Sequence, residues 1–114
     1  MKTHYIEVVT NAVDEQRKIL ERVHGLSFGS EIQDLGGARV AETTDGVLIG
    51  IRPPLAEHEL PITRTYFEVD DITQSIKAAE AAGGRVAYPP TVQGDTGTWA
   101  IYSLDDTQHG LWQR

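Results

Sequence analysis

Glu7 and Glu68 are the carboxylates of this chain best placed for chemistry, because each lies in an alternating, β-rich run that also carries aromatic side chains. Side chains alternate across a strand. In residues 63–69, Phe67 and Val69 form an apolar face, so Arg64, Tyr66 and Glu68 point to the other side. In residues 5–10, Ile6 and Val8 are the apolar face, and Tyr5, Glu7 and Val9 point away from it. Trp112 in the last run and Arg52, its earlier counterpart, join the same side. Arg39 and Trp99, sixty positions apart, are candidates for its wall. A carboxyl group whose pKa burial lifts toward neutrality can act as a general base, which makes Glu7 and Glu68 the candidate catalytic residues. Tyr5, Arg39, Arg52, Arg64, Tyr66, Trp99 and Trp112 are the candidate ligand-binding residues. Aromatics with a few convergent polar groups suit a small-molecule pocket, and the fork of Arg64 can grip a carboxylate or phosphate by two hydrogen bonds. A second reading fits the same residues. Buried charges must be paired, so Arg64 with Glu7 or Glu68 also makes sense as an ion pair without a ligand, and the tryptophans as core or interface residues.

Other chemistries find little support. The chain has no Cys, which removes a thiol nucleophile, thiolate-bound zinc and a disulfide framework. Ser27, Ser30, Ser75 and Ser103 have no adjacent histidine pattern, and no glycine fingerprint follows a strand and opens a helix. Adjacent residues of the extended run Glu57-His58-Glu59 point opposite ways, so it reads as solvated loop. His24 suits the C-terminal dipole of a helix. His4 and His109 fall on strand faces opposite the candidate site. Gly94-Asp95-Thr96-Gly97 reads as a turn.

The elements that position these residues occur twice. Tyr5-Ile6-Glu7-Val8 returns as Tyr66-Phe67-Glu68-Val69, and Gly37, Asp45, Gly50 and Ile51 return as Gly97, Asp105, Gly110 and Leu111. The strand-to-strand offset is 59 or 61, and both are odd, so the assignment of faces survives either choice. Helices are predicted over 13–24, with Val13, Ile19, Leu20 and Val23 toward the core, and over 72–82, capped by Asp71. Asp45-Gly46 signals a hairpin between strands at 38–43 and 47–52. Further strands are expected at 26–28, at 85–88 up to Pro89-Pro90, at 98–104 and at 109–113. Pro53, Pro54 and Pro61 mark residues 53–61 as the connector between halves 1–53 and 62–114.

The 114 residues amount to one domain, with ordinary hydrophobic and charged content of 39% and 24%. A net charge of −7 without a basic stripe argues against nucleic acid or an anionic membrane as partner. The chain enters a strand pattern at once, so no signal peptide is expected. No apolar run approaches ~20 residues, and the expected location is cytoplasmic.

A βαβββ unit occurring twice resembles the vicinal oxygen chelate superfamily, which includes glyoxalase I, bleomycin-resistance proteins, methylmalonyl-CoA epimerase and extradiol dioxygenases. The residues that carry the likeness are Tyr66 through Ile72, Ala79 through Val86, and the closing Gly110-Leu111-Trp112-Gln113. The resemblance implies an α+β fold in which two βαβββ units form a cup-shaped open barrel, usually dimeric, so a homodimer is expected. It also implies a divalent ion on four ligands, which carry over to Tyr5, Arg64, Gly50 and Gly110. Arginine stays protonated and repels a cation, and glycine has no side chain. The expectation is therefore no cofactor, with a non-standard metal site left open. The leading functional expectation is a metal-free protein that holds an unknown small organic molecule in its cup. The alternatives are a lyase, isomerase or dioxygenase-type enzyme using Glu7 or Glu68 as base or an unusual metal site, and a non-catalytic interaction module.

Overall fold

The computed structural model describes residues 1–114 and is α+β in class. Its elements are β1 (Lys2–Val9), α1 (Val13–His24), β2 (Glu31–Ile32), a single 3-10 turn (Gln33–Leu35), β3 (Ala38–Glu42) and β4 (Leu48–Arg52). The same series then repeats as β5 (Ile62–Glu68), α2 (Ile72–Ala81), β6 (Arg85–Val92), β7 (Thr98–Leu104) and β8 (Thr107–Gln113). The chain packs as two compact units, Tyr5–Thr63 and Met1–His4 together with Arg64–Arg114.

In the unit Tyr5–Thr63 the strands lie in the order β2-β3-β4-β1. The β1–β4 pair is parallel, with Tyr5 opposite Leu48, Glu7 opposite Gly50 and Val9 opposite Arg52. β3 and β4 form the hairpin that Asp45-Gly46 signals. Gly46 takes φ +86°, while the Thr43 hydroxyl donates to Asp45 at 2.5 Å and accepts from the Val47 N–H at 3.0 Å. Helix α1 has no side-chain N-cap, although the Thr10 hydroxyl takes the Ala12 N–H at 3.0 Å. Gly25, in the left-handed conformation, ends it. Val13 and Leu20 of α1 pack on Val8, Ile49 and Ile51, with Phe28 and Ala41 completing the core. This apolar stripe is narrower than the sequence period suggests, since Ile19 and Val23 are 59% and 68% exposed. Residues 26–28 form no strand; Phe28 is a buried core residue whose N–H donates to Glu21.

In the second unit the order is β5-β8-β7-β6. Again the first and last strands of the repeat run parallel, with Tyr66 opposite Gly110 and Glu68 opposite Trp112. The Asp71 carboxylate accepts the Gln74 N–H and caps α2. Ile72 and Ile76 of α2 pack on Ala100 and Leu111, with Val69 alongside. β6 does not stop before Pro89-Pro90 but continues to Val92. It is the terminal strand of this order, and its register on β7 shifts between Val86 and Tyr88 and again between Tyr88 and Thr91. Edge position and bulges are what let prolines, which lack a donor, sit in a strand. No helix is long and apolar enough to cross a membrane.

Candidate functional site

Strand alternation divides each unit into a helix-covered side and an opposite face, and the opposite face carries most of the candidate residues. Because Ile51 and Val8 turn toward α1, Tyr5, Glu7 and Arg52 share the other side. Glu7 and Arg52 are both 6% exposed, and the Arg52 Nε donates to the Glu7 carboxylate at 2.8 Å. The two terminal nitrogens of Arg52 donate to the two oxygens of Glu59 at 2.9 and 2.8 Å, and the first also reaches the Pro53 carbonyl at 3.1 Å. Glu59 in turn accepts the Leu55 N–H at 2.7 Å. Burial alone would favour a neutral Arg52, but the hydrogen bonds and charges of Glu59 and Glu7 outweigh it and hold the guanidinium charged more firmly than usual. Glu59 is thus no part of a solvated loop. It is the counter-charge that a buried Arg52 demands, a partner set by the fold and not by its neighbours in the chain.

The second unit presents a parallel but different series. Arg64 is 7% exposed, and its Nε and a terminal nitrogen both donate to the Gln108 side-chain carbonyl, at 2.9 and 2.7 Å. Its other terminal nitrogen lies 3.4 Å from the Tyr66 hydroxyl. The Tyr66 ring meets Trp112 edge-on, with centroids 5.5 Å apart. Trp112 donates its indole N–H to the Thr96 carbonyl at 2.9 Å. Trp99 donates to the Gln93 side chain at 2.7 Å and lies against Tyr88. Both indoles therefore hold the Gln93–Gly97 turn. Glu68 accepts from Arg114 at 2.8 Å and lies 3.7 Å from Lys2. The Arg114 hydrogen bond keeps its carboxyl below the usual carboxylate range, the opposite of what a general base near neutral pH requires.

Arg39 and Trp99 are not equivalent. Arg39 pairs opposite Ile51, whereas Trp99 pairs opposite Trp112, so the two lie on different faces. The Arg39 guanidinium instead donates to the Gly29 carbonyl at the surface, at 2.7 Å. His4, expected away from the candidate residues, packs on Trp112 with ring centroids 5.2 Å apart. Burial lowers its pKa, and Arg114 and Lys2 add to this against the opposing pull of Glu68. His109 stacks on Tyr102 at 5.1 Å.

The strand pairing also fixes the offset between repeats. Gly50 lies opposite Glu7 and Gly110 opposite Tyr66, so Glu7 and Tyr66 correspond, as do Tyr5 and Arg64, at the smaller offset. The positions onto which the resemblance places chelating ligands hold Tyr5 and Gly50 in one unit and Arg64 and Gly110 in the other, none of which offers a carboxylate or imidazole. No cluster of three or more His, Asp or Glu side chains is arranged to hold a metal ion. These residues do not fit a chelated divalent ion.

No protein-family model matches the sequence, and no curated protein matches it. Solved structures do. A hypothetical protein from Bacillus halodurans superposes with a TM-score of 0.76 at 15% identity, covering 99% of this chain and 94% of that one. Methylmalonyl-CoA epimerase from Mycobacterium tuberculosis superposes with a TM-score of 0.73 at 16% identity, covering 98% of this chain and 87% of that one. The S115T form of methylmalonyl-CoA epimerase from Streptomyces coelicolor, in complex with 2-nitronate-propionyl-CoA, gives 0.69 at 16% identity, covering 99% and 94%. With its two βαβββ repeats, the chain has the fold of the vicinal oxygen chelate superfamily, shared with methylmalonyl-CoA epimerase.

Proposed function

We propose that the protein binds a small organic molecule carrying an anionic group, without a chelated metal, and that Arg64 reads that group. The observation that carries this reading is a buried guanidinium, Arg64, whose Nε and one terminal nitrogen are oriented by the Gln108 side-chain carbonyl beside an aromatic pair, Tyr66 and Trp112. A pre-oriented guanidinium next to aromatic rings suits a carboxylate or phosphate attached to an apolar body. The fold supports the reading as well, since solved structures of this fold hold acyl-CoA compounds. The exposure of Ile19 and Val23 on α1 supports a homodimer.

Native mass spectrometry of the purified protein tests this directly, followed by titration with short-chain acyl-CoA esters and small carboxylates. The expected result is a retained or titratable anionic organic ligand, no stoichiometric metal, and binding weakened at least tenfold by Arg64→Met, the loss expected for one charge-assisted hydrogen-bonded pair, about 1.5–3 kcal/mol. Stoichiometric metal, or equal affinity in the Arg64→Met protein, would overturn it.

A second reading, a non-catalytic interaction module with a filled interior, has its own support: Tyr5, Tyr66 and Trp112 are only 2–4% exposed. Under that reading no organic ligand is retained, and none binds on titration.

A further inference from the structure

In both units a glycine stands where the fold's last-strand chelating residue would be, and in both a tyrosine ring from the neighbouring parallel strand lies on that glycine. Tyr5 is 2% exposed. A Cβ built on Gly50 would run into its hydroxyl and Cζ and come within 2.8 Å of its Cε1. Tyr66 is 4% exposed. A Cβ on Gly110 would run into its Cδ2 and come within 2.7 Å of its Cγ and 2.8 Å of the Thr65 carbonyl oxygen. Neither glycine has the positive φ that would by itself require this residue type. Space, not backbone conformation, demands them.

The strand offset shows that the two coverings are not copies of one arrangement. Tyr5 occupies the first-strand chelating position itself and reaches forward over Gly50, two residues beyond its own partner Leu48. Tyr66 stands two residues past the corresponding position, which is Arg64, and lies over its direct partner Gly110. The same glycine position is filled by different tyrosines along the repeat, so each half keeps its last-strand position filled by its own route.

We propose that Tyr5 with Gly50, and Tyr66 with Gly110, are coupled pairs in which the ring occupies the volume a chelating side chain would need, so that each half is closed to a metal by packing as well as by the loss of ligands. A glutamate restored at Gly50 or Gly110 alone then recreates no cation site. Interiors packed to crystal-like density accept added atoms only by shifting their neighbours. This inference goes beyond ligand binding and does not depend on which molecule, if any, the protein holds.

A double-mutant cycle in urea tests it. Gly50→Ala adds only the Cβ, and Tyr5→Leu removes the atoms that Cβ would meet while keeping apolar bulk. The expected result is a loss of about tenfold to a hundredfold in the folding constant for Gly50→Ala with Tyr5 present. The same change should cost at most a few-fold in the Tyr5→Leu background. Should Gly50→Ala fail to fold, the double variant should recover a cooperative transition. The Gly110→Ala and Tyr66→Ala cycle should show weaker coupling, because the Thr65 carbonyl also meets the added Cβ and stays in place. Additive effects in the first cycle, or no recovery by Tyr5→Leu, would overturn the proposal. So would micromolar Mn²⁺ binding, read by electron paramagnetic resonance, in the Gly50→Glu/Gly110→Glu protein with both tyrosines present. Ligand retention in native mass spectrometry bears on the binding reading alone, so the two can fail separately.

Discussion

Arg52 and Glu59 meet fork to fork, two nitrogens to two oxygens at 2.9 and 2.8 Å, and so tie the proline-rich connector to the end of β4. Gly36 makes room for this, since a Cβ there would come within 3.2 Å of the Arg52 Cδ and 3.1 Å of the Leu55 side chain. Removing one partner of a buried ion pair leaves the other charge desolvated, typically at a cost of several kcal/mol. Arg52→Met should therefore lower unfolding free energy by about 3 kcal/mol, measured in urea. Glu59→Gln, which keeps the shape but loses the charge, should cost about 1–2 kcal/mol. A milder effect of Arg52→Met than of Glu59→Gln would contradict this account of the network.

Much of the fold was legible because its signals are local. The Asp71 cap, the Gly25 stop and the Asp45-Gly46 turn each satisfy specific backbone groups, and they set the start of α2, the end of α1 and the hairpin where the sequence signals placed them. What was not legible depended on partners distant in the chain. The likeness of Tyr5-Ile6-Glu7-Val8 to Tyr66-Phe67-Glu68-Val69 aligns the first strands two residues away from their structural correspondence, which only the pairing of Gly50 and Gly110 reveals. The faces came out right because a shift of two preserves strand parity. Arg39 was misplaced for the complementary reason: a single-residue difference between repeats moves a side chain to the opposite face. The end of β6 was misread because proline forbids a central strand but not an edge, and edge position is a tertiary property.

Glu68 should respond to Arg114 more than to any other neighbour. The Arg114 hydrogen bond is the main reason its carboxyl titrates below the ordinary value of 4.5, with Lys2 and His4 adding to the effect against partial desolvation. In Arg114→Ala the Glu68 pKa should rise toward that ordinary value, followed by carbon-detected NMR. Because its folded pKa is depressed, Glu68 adds stability that is present above 4.5 and lost as pH falls through the folded value. Arg114→Ala should flatten that acid limb.

His4 acts in a higher pH window. Its folded pKa lies below the ordinary 6.5 because of burial, Arg114 and Lys2. Protonation therefore favours the unfolded chain: full stability is present above 6.5 and declines as pH falls from there toward the folded pKa. The His4 ring should titrate by NMR below 6.5, and the Trp112 fluorescence it contacts should follow the same curve. In His4→Gln, the decline of stability that sets in below pH 6.5 should be largely lost. An unchanged slope would move the effect to another group.

Gly97 is where the turn held by the two tryptophans has least freedom. Its φ is +129°, a region L side chains rarely adopt, and a Cβ there would come within 2.5 Å of the Gln113 carbonyl oxygen and 2.6 Å of the Trp112 indole nitrogen. That nitrogen is the donor to Thr96, so the added atom would strain the backbone and displace the hydrogen bond together. Gly97→Ala should cost about 2–4 kcal/mol, whereas Gly94→Ala, at the exposed tip of the same turn, should cost less despite its positive φ of 51°. Trp112→Phe keeps most of the packing but removes the donor, so it should leave the core folded while raising amide hydrogen exchange across residues 93–97. Protection there equal to the parent protein would mean that the turn is held by its own hydrogen bonds, Gln93 N–H to Gly97 and Thr96 N–H to Gln93, and not by the indole.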